Sequence, residues 1–310
     1  MNYKKMIIAA LIATSLSIST QNLQAQGLKM PAPSPAQTLK QSFALSDITV
    51  EYSRPSAKGR TIYGDLVPFG KMWRTGANGA TKITFGENVT VEGMAVPAGT
   101  YALYSIPNKD NWEFMLYKDL TLGGNVSEYK ATEELIRFKV KPTSITGQSL
   151  MAEMPAKGKK KMEAMPLNTY KVETFTINIA DVAPNMANIE LLWEQTRVAF
   201  SVKSDIDTKI MKNIETSLAA DTRPYFQAAT YYFENGKDIK KASEWVNKAV
   251  ELNPKAYWIA LLKAKIQMKM MDKTGALATA ADVVKLATDA KNDDYVKMGE
   301  QALADAKKMK

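Results

Sequence analysis

The hydrophobic period changes once along this chain of 310 residues, and that change sets what it can fold into. Before Ser204 the apolar residues alternate. Ile83 and Phe85 oppose Lys82 and Thr84, and Ile136, Phe138 and Val140 oppose Arg137 and Lys139. A two-residue period buries one face of a β-strand. Short runs of this kind, rich in β-branched and aromatic residues, stand at 47–53, 81–85, 88–91, 100–106, 112–117, 135–140, 172–179 and 196–202. Turn-forming stretches separate them, including Glu92-Gly93, Pro97-Ala98-Gly99 and Pro107–Asn111. Strands so short and so closely spaced predict an antiparallel β-sandwich or open barrel.

After Ser204 the period becomes helical. Ile206, Ile210, Ile214 and Leu218 recur every four residues. Phe226, Phe233, Ala242, Ala249 and Pro254 then have the offsets of a tetratricopeptide repeat. A shift of 34 residues carries Ala242 to Ala276 and Ala249 to Val283, with Ala264 at a small-residue position of the next helix. Small residues suit the close approach of two helices in a hairpin. A last helix over about 293–308 would cap the stack. The expected fold class is therefore α+β and multidomain: a β-rich domain over 38–203, then a tetratricopeptide-like α-helical hairpin array over 204–310.

Two absences narrow the chemistry. The chain has no His and no Cys. That removes Ser–His–Asp triads, thiol nucleophiles, imidazole bases and the usual zinc and haem sites. An enzyme built from it would rely on carboxylates, Lys, Tyr, Ser/Thr or an oxygen-ligated metal. No cofactor is expected. Residues 1–25 read as a signal peptide: Lys4-Lys5, an apolar core from Met6 to Ile18, then a polar stretch ending at Ala25. The core falls short of the roughly 20 residues needed to span a bilayer. Residues 26–37 are Pro-rich and read as an extended leader. The expectation is a soluble periplasmic or secreted protein that does not span the membrane. Its formal charge is +9, or +7 without Lys4 and Lys5. Nucleic acid is not an expected partner of an exported protein, and the excess reads first as a solvated Lys-rich surface.

The richest stretch is SRPSAKGRTIYGDLVPFGKMWRTGANGATKITF, residues 53–85. Gly59, Gly64, Gly70 and Gly76 interrupt it, so it is neither a helix nor a long strand. Tyr63, Leu66, Phe69 and Trp73 are its apolar pegs. It reads as an ordered loop crossing one end of a sheet. With VPAGTYALYSIP (96–107), WEFMLYKD (112–119), VETFTI (172–177) and LLWEQTRV (191–198), it resembles the bacterial domain-of-unknown-function family DUF 2911 over about 34–202. The resemblance brings no activity. It implies an exported β-rich domain, often followed by helical repeats, and an acidic residue where this chain has Gly79. Residues 143–170 look like an insertion between two strands.

Arg74 offers five donors in a rigid fork, suited to a carboxylate or a phosphate. The favoured reading is a strut, with Arg74 clasping Glu51, Asp65 or Glu194. The alternative is an anion or sugar pocket lined by Arg54, Lys71, Trp73, Arg74 and Asn78, in a carbohydrate- or anion-binding protein or a His-free enzyme with its site on 54–78. No paired-carboxylate spacing favours catalysis. In MAEMPAKGKKKMEAMP (151–166), Met151, Met154, Met162 and Met165 form a thioether set that could hold Cu(I), weighed against an incidental extension. The functional expectation is a binding or scaffolding module of the cell envelope. Its helical repeats would meet an envelope protein, and its β domain could meet a glycan or other anionic ligand.

Overall fold

A computed structural model describes residues 30–145, 171–219 and 224–310. The signal peptide and the four methionines of 151–165 lie outside the described residues. The chain divides into two compact units at Lys203/Ser204.

The first unit holds twelve strands among its described residues: β1 (Ala36–Phe43), β2 (Ser46–Ser53), β3 (Thr81–Phe85), β4 (Val89–Val91), β5 (Met94–Val96), β6 (Gly99–Ile106), β7 (Trp112–Tyr117), β8 (Glu134–Val140), β9 (Thr143–Ser144), β10 (Val172–Ala183), β11 (Met186–Glu194) and β12 (Thr196–Lys203). They form two open antiparallel sheets, ordered β1-β2-β3-β6-β7-β8 and β10-β11-β12-β4-β5, with β9 beside β12. The domain is thus a sandwich and not a closed barrel. Strand β1 begins inside the stretch read as leader, where Ala36 pairs with Ser53. The sequence reading also missed β5, β9 and β11.

Alternation builds the core. Ile48, Val50, Ile83, Phe85 and Leu103 of one sheet meet Phe175, Ile177, Ile189, Leu191 and Phe200 of the other. Strands β6 and β7 depart from this pattern, because both their faces are buried. Tyr101, Leu103, Phe114 and Leu116 face the other sheet. Ala102, Tyr104, Met115 and Tyr117 form a second small core on the outer face, covered by Leu120, Leu122, Val126 and Tyr129. Residues covered on both sides read as continuous apolar runs. Two short 3-10 turns, Val126–Glu128 and Ala131–Glu133, shape this cover.

The second unit has six helices among its described residues: α1 (Ile206–Ala219), α2 (Tyr225–Glu234), α3 (Ile239–Leu252), α4 (Tyr257–Lys269), α5 (Lys273–Asp289) and α6 (Asp293–Lys308). Consecutive helices from α2 to α6 pack together. Ala242, Ala264 and Ala276 are fully buried, as their small size requires. At Gly299 α6 approaches α5 closely. A Cβ there would lie 2.9 Å from Val284 Cγ2 and 3.1 Å from the Val284 backbone nitrogen. Side chains of Asp238, Asp272 and Asn292 cap α3, α5 and α6 by accepting backbone N–H bonds. No described helix is long and apolar enough to cross a membrane.

Candidate functional site

The loop between β2 and β3 crosses one end of the sandwich. Its first residues stitch the two sheets together. Arg54 donates through Nε to the Phe175 carbonyl at 3.1 Å and through Nη2 to Thr176 Oγ1 at 2.8 Å. Ser56 bridges to Thr174. Arg54 therefore ties the end of β2 to β10.

Further along, Trp73 pairs with Ser105, donating its N–H to the Ser105 carbonyl at 2.7 Å and accepting one back at 2.9 Å. It thus continues the β3 position beside β6. Residues 74–80 bulge from that line and are closed by the Thr81 N–H bond to the Arg74 carbonyl at 3.1 Å. Because the chain is extended at Trp73, successive side chains take opposite faces. Trp73 joins the inner core. It stacks on Trp193 at 6.0 Å between centroids and meets Phe175 edge-on at 5.2 Å. Its indole N–H donates to the Gly76 carbonyl at 3.0 Å.

The next residues hold the bulge. Thr75 is fully buried at φ 54°, a left-handed conformation that costs a branched residue strain. A hydroxyl pair with Ser105 Oγ, at 2.8 Å, compensates. Asn78, also left-handed at φ 59°, donates through Nδ2 to the Ser34 carbonyl and to Ser53 Oγ. Lys71 is exposed and joins none of this.

Arg74 differs from its neighbours. Its side chain turns to the outer face, where the Gly124 backbone leaves room for it. A Cβ on Gly124 would lie 2.9 Å from Arg74 Nη1 and 3.4 Å from Cδ. The charge is close enough to Tyr104 to oppose the rise of that phenol, which burial first, then Tyr117 and Asp119, push up to about 12. The expected clasp is absent. Arg74 makes no ion pair with Glu51, Asp65 or Glu194, and its buried Nε has no hydrogen-bond partner. Glu194 lies on the other side of the loop, accepting from the Ile62 N–H and facing Lys171 at 3.8 Å. Glu51 and Asp65 are exposed.

The five sequence-picked residues accordingly do not converge. Trp73 and Arg74 both border a cavity of about 310 Å3 under the loop, whereas Arg54, Lys71 and Asn78 do not. Arg60 and Trp193, which the sequence reading did not select, complete its wall. Arg60 holds its own turn, donating to the Ala57 and Ser56 carbonyls. Among the described residues no carboxylate lines this cavity. Both residues lie in stretches that carry the family resemblance, yet only the fold brings 60, 73 and 193 together. Gly79, where an acid was implied, has open space about its Cα. Among the described residues no group of three or more acidic side chains could hold a metal.

These features define a class: a two-sheet antiparallel domain whose Trp-anchored crossing loop carries an arginine with no ion pair among the described residues. Residues 34–164 match the family model described as Protein of unknown function (DUF2911). Strands β10–β12 lie beyond the match and complete the second sheet. No curated protein and no solved structure matches the chain.

Proposed function

We propose that the β-sandwich is an anion-binding module of an exported protein, with Arg74 as its anchor and a carboxylate- or phosphate-bearing small molecule as its ligand. One observation carries this reading: a half-buried guanidinium, set on the Gly124 backbone, whose Nε has no hydrogen-bond partner and which makes no ion pair among the described residues. Desolvating a cation without a partner is unfavourable. Such an arrangement suits a site whose partner arrives with the ligand.

The helical unit supports a partner-binding role beside this one. Ala242 and Ala276, 34 residues apart, are both fully buried, as a tetratricopeptide-like hairpin repeat needs. Such an array offers a groove to a peptide segment of an envelope protein. The periplasmic setting rests on the N-terminal pattern of Lys4-Lys5, apolar core and Ala25.

Isothermal titration with inorganic phosphate and with D-glucuronate tests the anchor. At low salt at least one should bind, and Arg74→Met should weaken it tenfold or more, about 1.4 kcal/mol. Added salt should weaken it too. Binding untouched by Arg74→Met, or none by either probe, would refute the anchor.

A further inference from the structure

A second cavity, of about 260 Å3, lies on the other side of the same aromatic cluster. Its floor is Tyr63, Phe69 and Trp112, and its polar wall includes Asn108, Ser144 and Thr196. The Arg74 cavity shares none of these residues.

The walls are set by the backbone. Gly70 donates its N–H to the Pro107 carbonyl at 2.9 Å, tying the crossing loop to the β6–β7 turn that carries Asn108. Phe69 is pressed onto Gly64, where a Cβ would meet its ring at 2.8 Å. Gly64 itself sits at φ 96°, a conformation open to glycine. Tyr63 packs edge-on against Trp112, with ring centroids 4.9 Å apart. Burial, and then the charge of Glu194, push its phenol well above the ordinary range, so it stays protonated and able to donate. Tyr63 and Asn108 are both half-buried, and among the described residues neither side chain has a hydrogen-bond partner. Lys109 rests its ammonium 6.0 Å from the Phe69 centroid.

The lining selects among ligand classes. Among the described residues no carboxylate borders the cavity, so a cation has nothing there to pair with. One exposed lysine, already over a ring, makes a poor anion site. Amide and hydroxyl groups surrounding the ring faces are wasted on a purely apolar guest. Neutral groups that both donate and accept, set around aromatic faces, suit a polyhydroxyl ring with a C–H face. The volume is below that of a drug-sized pocket, so it admits one ring. We infer that this cavity binds a single neutral pyranose, with its C–H face on Tyr63 and Phe69 and its hydroxyls on Asn108 and the Tyr63 phenol. The site is independent of the anion anchor at Arg74.

Saturation-transfer difference NMR on the full chain tests it, with methyl β-D-glucopyranoside, methyl β-D-galactopyranoside and N-acetyl-D-glucosamine as probes. At least one should show saturable transfer, strongest at its ring C–H protons. Asn108→Ala and Tyr63→Phe should each weaken it about fivefold, the loss of one hydrogen bond. Circular dichroism of both variants should match wild type, since Asn108 lies on a turn and Phe keeps the Tyr63 ring. Arg74→Met should leave sugar binding unchanged. Lack of transfer from all three sugars would overturn the inference. So would binding indifferent to both Asn108→Ala and Tyr63→Phe, or binding abolished by Arg74→Met, which would put the ring in the other cavity.

Discussion

Arg74→Met should leave the protein as stable as wild type or more so. Methionine keeps the stem that lies on Gly124, whose missing Cβ would approach Arg74 Cδ at 3.4 Å. It removes a guanidinium whose Nε is buried without a partner. An unmade hydrogen bond of a buried polar group costs about 1–3 kcal/mol. Arg74 is only half-buried, so we take the low end and expect a gain of about 1 kcal/mol. Arg74→Ala loses the stem as well. The two half-buried methylenes lost, Cγ and Cδ, are worth about 1 kcal/mol, so alanine should fall close to wild type. The assay is urea unfolding followed by tryptophan fluorescence and fitted as two transitions, because the chain has two units. At an m-value of about 2 kcal/mol/M, the methionine gain moves the sandwich midpoint up by about 0.5 M. Gly124→Ala supplies the internal control. It should cost about 1 kcal/mol in wild type, by pushing the guanidinium aside, and less once Arg74 is Ala. A loss of about 3 kcal/mol or more in both Arg74 variants would refute the reasoning, since that is the signature of a buried ion pair broken on one side.

Two further outcomes follow from packing and charge. Gly299→Ala in α6 should destabilise the helical unit by about 2 kcal/mol, despite alanine's better helix propensity, because its Cβ meets Val284 at 2.9 Å; a gain in thermal stability would mean that α5 and α6 sit further apart. On the outer sandwich face, Arg137 bonds Glu113 at 2.7 Å and Glu134 at 2.6 Å, and these bonds first of all hold both carboxyls below the usual range. Lowered folded-state values stabilise above the unfolded carboxylate value of about 4.3, and that stabilisation is lost as pH falls through the folded ones. Arg137→Leu should therefore cost about 1 kcal/mol at pH 7, a figure discounted for the exposure of the cluster, and the difference should vanish near pH 2–3. Melting curves across pH check this, and equal acid slopes in the two proteins would count against it.

The sandwich was legible where one face of a strand is buried and the other wet. Strand β3 alternates without exception, and its predicted bounds, 81–85, are those observed. Strand β1 was missed because its inward residues Gln37, Leu39 and Gln41 are only half-buried and two of them are polar, so little apolar signal marks its face. Strand β11 carries Asn188 and Glu190 among its apolar residues, and Glu190 is buried by pairing with Arg197 on β12. That pairing crosses the β11–β12 hairpin, so the period of β11 alone does not reveal it. The helices were easier to place, since their period needs only four residues to declare itself. The last one was expected at about 293–308 and runs over Asp293–Lys308.

The crossing loop shows where local reading stops. Extended-chain alternation correctly separates Trp73 from Arg74, because it depends on the backbone alone. The identity of Arg74's partner depends on which strand end lies beneath it, and sequence gives no distance between 74 and 51, 65 or 194. Asp119 also acts on Tyr104, and its Oδ1 accepts from the Thr121 N–H and hydroxyl. Every neighbour of Arg74 in the Trp73–Asn78 run with a polar side chain has a structural bond: the Trp73 indole, the Thr75 hydroxyl and the Asn78 amide. A segment so fully committed does not need its arginine to hold its shape. That is the physical reason to look for the arginine's purpose outside the chain.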